Sequence, residues 1–200
     1  MTGKYTPKVK DSSIFKEIAL NTVKPLEVLR EAISNADDAN ANQINISIDR
    51  DEKGEPIISI EDNGSGMEIE EIHKFFSLGY SHKDVCKIGE KGLGTKTYYK
   101  SNKIHLETCS KEGILYVASI DNPWDSLEND ELPSYQIEEI KGDYKKGSTI
   151  IICGYKIDNP EKFFNLEKIK DYETYTCNLC SRWWRYRRSC SRSFVCSSKG

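Results

Sequence analysis

The 200-residue chain has no apolar run longer than a β-strand, so it lacks the roughly twenty consecutive apolar residues that a membrane-spanning helix needs. Net charge is nearly absent as well: a formal value of -3 leaves no global field that would attract nucleic acid or an anionic membrane, and partners must be argued from local groups. The amino terminus, MTGKYTPKVK, has no apolar signal segment, and a soluble, cytoplasmic protein is expected. Histidine is scarce, and His73, His82 and His105 stand at no metal-ligating spacing. Cys86, Cys109 and Cys153 are scattered as buried free thiols are, whereas Cys177, Cys180, Cys190 and Cys196 crowd the final stretch. No internal repeat is visible, and the length suits one domain with an appendage.

What is present is organised around residues 25–39, PLEVLREAISNADDA. At about 100° per residue, Glu31, Asn35 and Asp38 project from one side of a helix, while Leu26, Leu29, Ile33 and Ala36 form the opposite, packing stripe. Residues 11–20 read as a short helix before it, and Pro25 suits a first helical position. After it, Ile44, Ile46 and Ile48 alternate with polar residues, a turn follows at 51–55, and 56–61 returns as a second strand. Residues 68–76 read as a short helix, 77–91 as a polar loop, and 95–100 as helix again. Strands are expected at 103–109, 114–120 and 135–140, and Gly147-Ser148-Thr149 leads into an apolar run at 150–152 that suits a central strand; an acidic loop is expected at 122–133 and a final helix at 160–171. The hairpin at 51–55 argues against a doubly wound α/β sheet. The expectation is an α+β, two-layer sandwich with a mixed, mainly antiparallel sheet and helices on one face.

Several groups suit a nucleotide. Asp62, at the end of a buried strand, could accept the exocyclic amine of adenine, and Gly64 and Gly66 would let the backbone approach a flat base. The glycines at 89, 92 and 94, followed by Lys96, form a bend that could present backbone N–H groups and a point charge to phosphate. The bend is not a Walker A loop, because Thr95 stands where that motif has lysine, and its spacing is not that of a dinucleotide fingerprint. The Asn35 carbonyl oxygen suits magnesium, and Glu31, one turn earlier, could polarise an attacking water. Taken singly, each has a plainer reading: a solvated acidic helix, an ordinary Asp-Asn-Gly turn, a flexible glycine loop.

Together and in this order they resemble the GHKL ATPases, the group of gyrase, the large heat-shock chaperones, histidine kinases and MutL. The motifs are Glu31-x3-Asn35-Ala36-x-Asp38-Ala39, Asp62-x-Gly64-x-Gly66-Met67, Gly89-x2-Gly92-x-Gly94-x-Lys96 and Gly147-Ser148-Thr149, spread over residues 11–170. The wording EAISNADDA is most similar to the chaperone, MutL and MORC branch. The resemblance implies the Bergerat fold, with Glu31 as general base and Asn35 as the Mg2+ ligand. It implies further that ATP is bound by Asp38, Asp62, Gly64, Gly66, Met67, Ser148 or Thr149, and a lid containing Gly89, Gly92, Leu93, Gly94, Thr95 and Lys96. It implies slow ATP hydrolysis coupled to lid closure and to homodimerisation or engagement of a partner protein or DNA. Relatives take a catalytic basic residue from a following transducer domain for which the remaining residues leave no room, so a nucleotide-gated binding module without turnover is the alternative.

The ATP-binding domain is expected to span 1–175. The tail, 176–200, changes composition to CNLCSRWWRYRRSCSRSFVCSSKG. Three readings stand: a zinc site, a nucleic-acid surface of arginines interleaved with aromatics, or a truncated or frame-shifted end poorly packed against the domain.

Overall fold

The computed structural model describes residues 2–7, 12–20, 25–77, 94–110, 112–158, 160–164, 168, 187–189 and 193–197. Its strands are β1 (Thr2–Tyr5), β2 (Gln43–Arg50), β3 (Pro56–Asp62), β4 (Lys103–Cys109), β5 (Ile114–Asp121), β6 (Tyr135–Lys141), β7 (Gly147–Cys153), β8 (Arg187–Ser189) and β9 (Ser193–Ser197). They form one sheet in the order β1-β6-β5-β4-β7-β3-β2-β9-β8. The pairings among these described strands are antiparallel throughout, so the mainly antiparallel plan extends to the whole described sheet. The helices are α1 (Ser12–Leu20), α2 (Glu27–Asp38), α3 (Ile69–Phe76), a 3-10 helix (Gly94–Tyr99), α4 (Pro123–Glu128) and α5 (Pro160–Phe163).

Directly opposed residues of antiparallel strands share a face. The register therefore builds apolar rows across the sheet: Ile46, Ile60, Ile150, Leu106, Ala118 and Ile137 in one, Ile58, Ile152, Ile104 and Ile120 in the next. All ten are buried. Phe15 and Ala19 of α1, Val28, Leu29, Ala32, Ile33 and Ala36 of α2, Ile72, Phe75 and Phe76 of α3, and Tyr98 and Tyr99 of the 3-10 helix complete the same core. This is the expected α+β two-layer arrangement, with the helical layer on the isoleucine face.

Four elements depart from the sequence expectation. The amino terminus forms β1, an edge strand paired with β6, and Tyr5 packs there against Tyr135 and, edge-on, against His73. Residues expected as an acidic loop contain α4, which begins after Asn122 in a left-handed conformation and carries Pro123 in its first turn, where a missing N–H costs nothing. The helix expected from 95 onward is a 3-10 helix. Of the final helix expected at 160–171, the described part is α5, four residues long.

The tail contributes β8 and β9, and β9 pairs with the edge strand β2 from Gln43↔Ser197 to Ser47↔Ser193. Its backbone thus joins the sheet over these residues, where the sequence reading expected a tail poorly packed against the domain. Cys177, Cys180 and Cys190, on which the zinc reading depends, and the Trp and Arg run at 182–186 lie outside the described residues.

Candidate functional site

The row above the two isoleucine rows is polar. Ile44, Asp62, Ser148, Thr108 and Tyr116 lie side by side on β2, β3, β7, β4 and β5, on the helix-covered face. Asp62 is half-buried, and its carboxylate accepts the N–H of Gly64 at 2.8 Å. Burial raises its pKa above the ordinary aspartate value, the backbone N–H groups of Gly64 and Ser148 pull it back, and neighbouring Glu61 adds a further small push upward. Thr108 Oγ1 accepts the Met67 N–H at 2.9 Å and lies 2.9 Å from Ser148 Oγ. The Gly147 carbonyl, 3.3 Å from Thr108 Oγ1, competes with Ser148 Oγ for the one Thr108 proton, and the Ser148 hydroxyl keeps its own proton for another acceptor only when Thr108 donates to it.

The turn that follows Asp62 is fixed from both sides. Asn63 Oδ1 accepts the N–H groups of Asn42 and Gln43, each at 2.9 Å. The Ser65 N–H donates to the Ala39 carbonyl at 2.9 Å, which joins the turn to the C-terminal end of α2. Gly64 has no room for a side chain, since a Cβ would lie 2.7 Å from the Ala39 Cβ. Gly66, at φ +68°, backs onto the Cys109 carbonyl, so both glycines of this motif are required by close approach. Met67 packs against the core.

On α2, the buried side is Val28, Leu29, Ala32, Ile33, Ser34 and Ala36, wider than the predicted stripe. Glu31, Asn35 and Asp38 are each partly buried. Glu31 lies against the 3-10 helix: a Cβ on Gly94 would fall 1.9 Å from Glu31 Oε2. The obstacle is the far end of a flexible side chain. Gly94→Ala is therefore expected to keep the fold, with a stability loss under about 1 kcal/mol, while turning the Glu31 carboxylate away. Thermal unfolding paired with a structure of the variant checks this; a folded Gly94→Ala with the Glu31 carboxylate unmoved would contradict it.

Three predicted site residues are placed differently. Lys96, expected to offer its charge to phosphate, points inward: it is fully buried, and its Nζ donates to the Phe75 carbonyl at 2.5 Å and to Thr95 Oγ1 at 2.6 Å. Thr95 is buried too, its hydroxyl donating to the same carbonyl. Thr149 pairs with Glu61 and Glu107 and so lies on the opposite face from Asp62; of the two hydroxyls left open by the sequence, Ser148 is the one in the polar row. Gly89, Gly92 and Leu93 lie outside the described residues. Thr108 was missed by sequence reasoning, although the alternation Ile104, Leu106, Thr108 pointed it toward the buried face. A separate hollow of about 580 Å3, lined by Pro25, Lys100, Tyr155 and Phe163 among others, includes none of the predicted site residues.

Residues 23–146 match the family described as "Histidine kinase-, DNA gyrase B-, and HSP90-like ATPase", and the chain belongs to this family, the GHKL-type ATPases, on its MutL and MORC side. It is similar to the DNA mismatch repair protein MutL of Shouchella clausii, 25% identical over 169 residues that cover 80% of this chain and 24% of that protein. A second MutL, from Elusimicrobium minutum, is 42% identical over 67 residues, 32% of this chain and 11% of the relative. ATPase morc-1 of Caenorhabditis elegans is 33% identical over 95 residues, 46% of this chain and 11% of its own length. The chain thus matches a quarter or less of each of these relatives. Among the described residues, no helix is long and apolar enough to cross a membrane.

Proposed function

We propose that this domain binds ATP with Mg2+ in the space between the polar row of the sheet and the Glu31, Asn35 and Asp38 side of α2, and that it hydrolyses the nucleotide slowly. The observation that carries the reading is the row itself. A half-buried carboxylate, a hydroxyl pair and two glycines packed against backbone interrupt an otherwise apolar face, next to the end of the helix bearing the family's acidic motif. Asp62 would accept the adenine amine, and Ser148 would donate to the base.

The residues fit Mg2+. Among those described, no group of three or more His, Cys, Asp or Glu could hold an ion unaided. A single Asn35 oxygen, with phosphate oxygens and retained waters filling the other positions, is the coordination this hard cation favours. Bound there, the ion would neutralise phosphate charge; Glu31 would orient and deprotonate water. By family likeness, nucleotide would also govern closure of the segment containing Gly89 to Lys96, and dimerisation or engagement of a partner protein or DNA. A cytoplasmic location belongs to the same reading.

The inward Lys96 favours a second possibility, nucleotide-gated binding without useful turnover, because the expected phosphate charge is engaged elsewhere. Calorimetry with a non-hydrolysable ATP analogue, with and without Mg2+, is expected to show binding tightened by the metal. Single-turnover assays should then find hydrolysis that Glu31→Ala abolishes without loss of binding. Equal rates in the two proteins would leave the binding-only reading, and no detectable analogue binding would overturn both.

A further inference from the structure

The outer strands of the described sheet are its two shortest. β1 has four residues, one of them Lys4, and β8 has three, Arg187, Arg188 and Ser189. Short, charged strands at a border discourage pairing with another chain, because they offer few N–H and C=O groups and set like charges against each other. β2 is of the opposite kind. It is eight residues long, and residues 43–48, QINISI, alternate isoleucine with small or amide side chains and contain no charge, proline or glycine. A segment of that composition with an open border is a template for strand addition.

β9 covers that stretch. The pairing runs from Gln43↔Ser197 to Ser47↔Ser193 and stops ahead of Asp49 and Arg50, which are charged and exposed. Gln43 turns its N–H to the Asn63 side-chain oxygen and its carbonyl to the Asn63 N–H, on the β3 side. Because these groups alternate along a strand, those of Ile44 and Ile46 face the other way, toward β9. Both isoleucines are buried, so without a covering strand their outward backbone groups would form the hydrogen-bonding border of an uncharged segment.

We propose that the β8–β9 pair is a cover over β2, exchanging an adhesive border for an arginine-bearing one three residues long, and that the partner fitting the uncovered border is β2 of a second copy, antiparallel across a two-fold axis. The sequence is self-complementary for that contact. Centred on Asn45, the register sets Ile44 opposite Ile46 and Gln43 opposite Ser47, so the isoleucines of both copies share one face and the outward backbone groups of Ile44 meet those of Ile46. No like charges are opposed over residues 43–47. The tail then acts through its backbone pairing, independently of its cysteines.

Phe194 stands opposite Ile46, and proline there removes the N–H that the register directs at β2. In light scattering of the nucleotide-free, full-length chain, Phe194→Pro is expected to double the mass found for the parent. Adding Asn45→Lys should restore the parent mass, because position 45 faces itself across the axis and two ammonium groups would be opposed there. An unchanged mass in Phe194→Pro that is folded by circular dichroism would overturn the proposal. So would a rise that Asn45→Lys leaves in place, since the contact would then lie elsewhere. Should Phe194→Pro fail to fold, Phe194→Gly, which loosens the strand and keeps the donor, carries the same comparison, with hydrogen exchange of the Ile44 and Ile46 amides reporting whether the cover has opened. Faster exchange at unchanged mass would overturn the partner. Exchange as slow as in the parent would show that β9 does not protect these amides and overturn the cover.

Discussion

Asp62→Asn is expected to weaken ATP-analogue binding by about 10- to 100-fold, the equivalent of one charge-assisted hydrogen bond lost from a buried acceptor. The nucleotide-free domain should lose no stability at neutral pH. In the fold, burial raises the Asp62 pKa above its ordinary value, so over the intervening pH range the folded chain holds more proton than the unfolded one. Stability therefore falls as pH rises through that interval, and the ionised carboxylate remains a cost above it. Asparagine removes the cost and can still accept the Gly64 N–H. Melting curves from pH 3 to pH 8 should show the variant equal to the parent at the acid end and at least as stable at neutrality. Lower stability at pH 7, or analogue affinity within twofold of the parent, would show that Asp62 serves the fold and leave the base contact without support.

Gly66→Ala should be far more damaging to the fold. The residue sits at φ +68°, and an added Cβ would lie 1.8 Å from the Cys109 carbonyl oxygen and 2.6 Å from its carbon. Those are backbone atoms of β4, which cannot rotate aside. The left-handed conformation costs alanine roughly 1–2 kcal/mol, and displacing a strand of a packed sheet adds roughly 1–3 kcal/mol, about 2–5 kcal/mol in all. That is a large share of the stability of an ordinary domain. Gly54→Ala separates the two causes, because Gly54 has a similar φ of +83° and nothing within 4 Å of its would-be Cβ. Urea denaturation should place Gly54→Ala within about 2 kcal/mol of the parent and leave Gly66→Ala with a greatly lowered midpoint or no cooperative transition. Similar losses in both would mean that conformational strain, and not contact with β4, sets the cost.

Much of this architecture is legible in the chain, and the parts that are not share a cause. The pair β2–β3 could be read because isoleucines alternate with polar residues on either side of a short turn, the pattern a half-buried strand imposes, and β4–β5 because two strand-length segments flank the turn at 110–113. β1 could not, since Thr2–Tyr5 has one apolar side chain and forms an edge by pairing with β6, far away in sequence. α4 was hidden because its burial falls on Pro123 and Leu127 alone, amid acids that read as loop.

The site divides in the same way. Glu31, Asn35, Asp38 and Asp62 could be singled out from local spacing. The choice of Ser148 over Thr149, and the presence of Thr108, depend on the register between β4, β7 and β3, a long-range quantity. The direction of Lys96 depends on the carbonyl end of α3, some twenty residues earlier, and charge type alone pointed it to phosphate.

Strand order has a consequence for how the molecule is made. β7 lies between β4 and β3, so residues 147–153 seam a left panel of β1, β6, β5 and β4 to a right panel of β3 and β2. A nascent polypeptide that has emerged only as far as β6 owns two separate panels, each with an unsatisfied inner border. Ser148 arrives with the seam, between Thr108 and Asp62, so the polar row is completed in the same moment that the two panels become one.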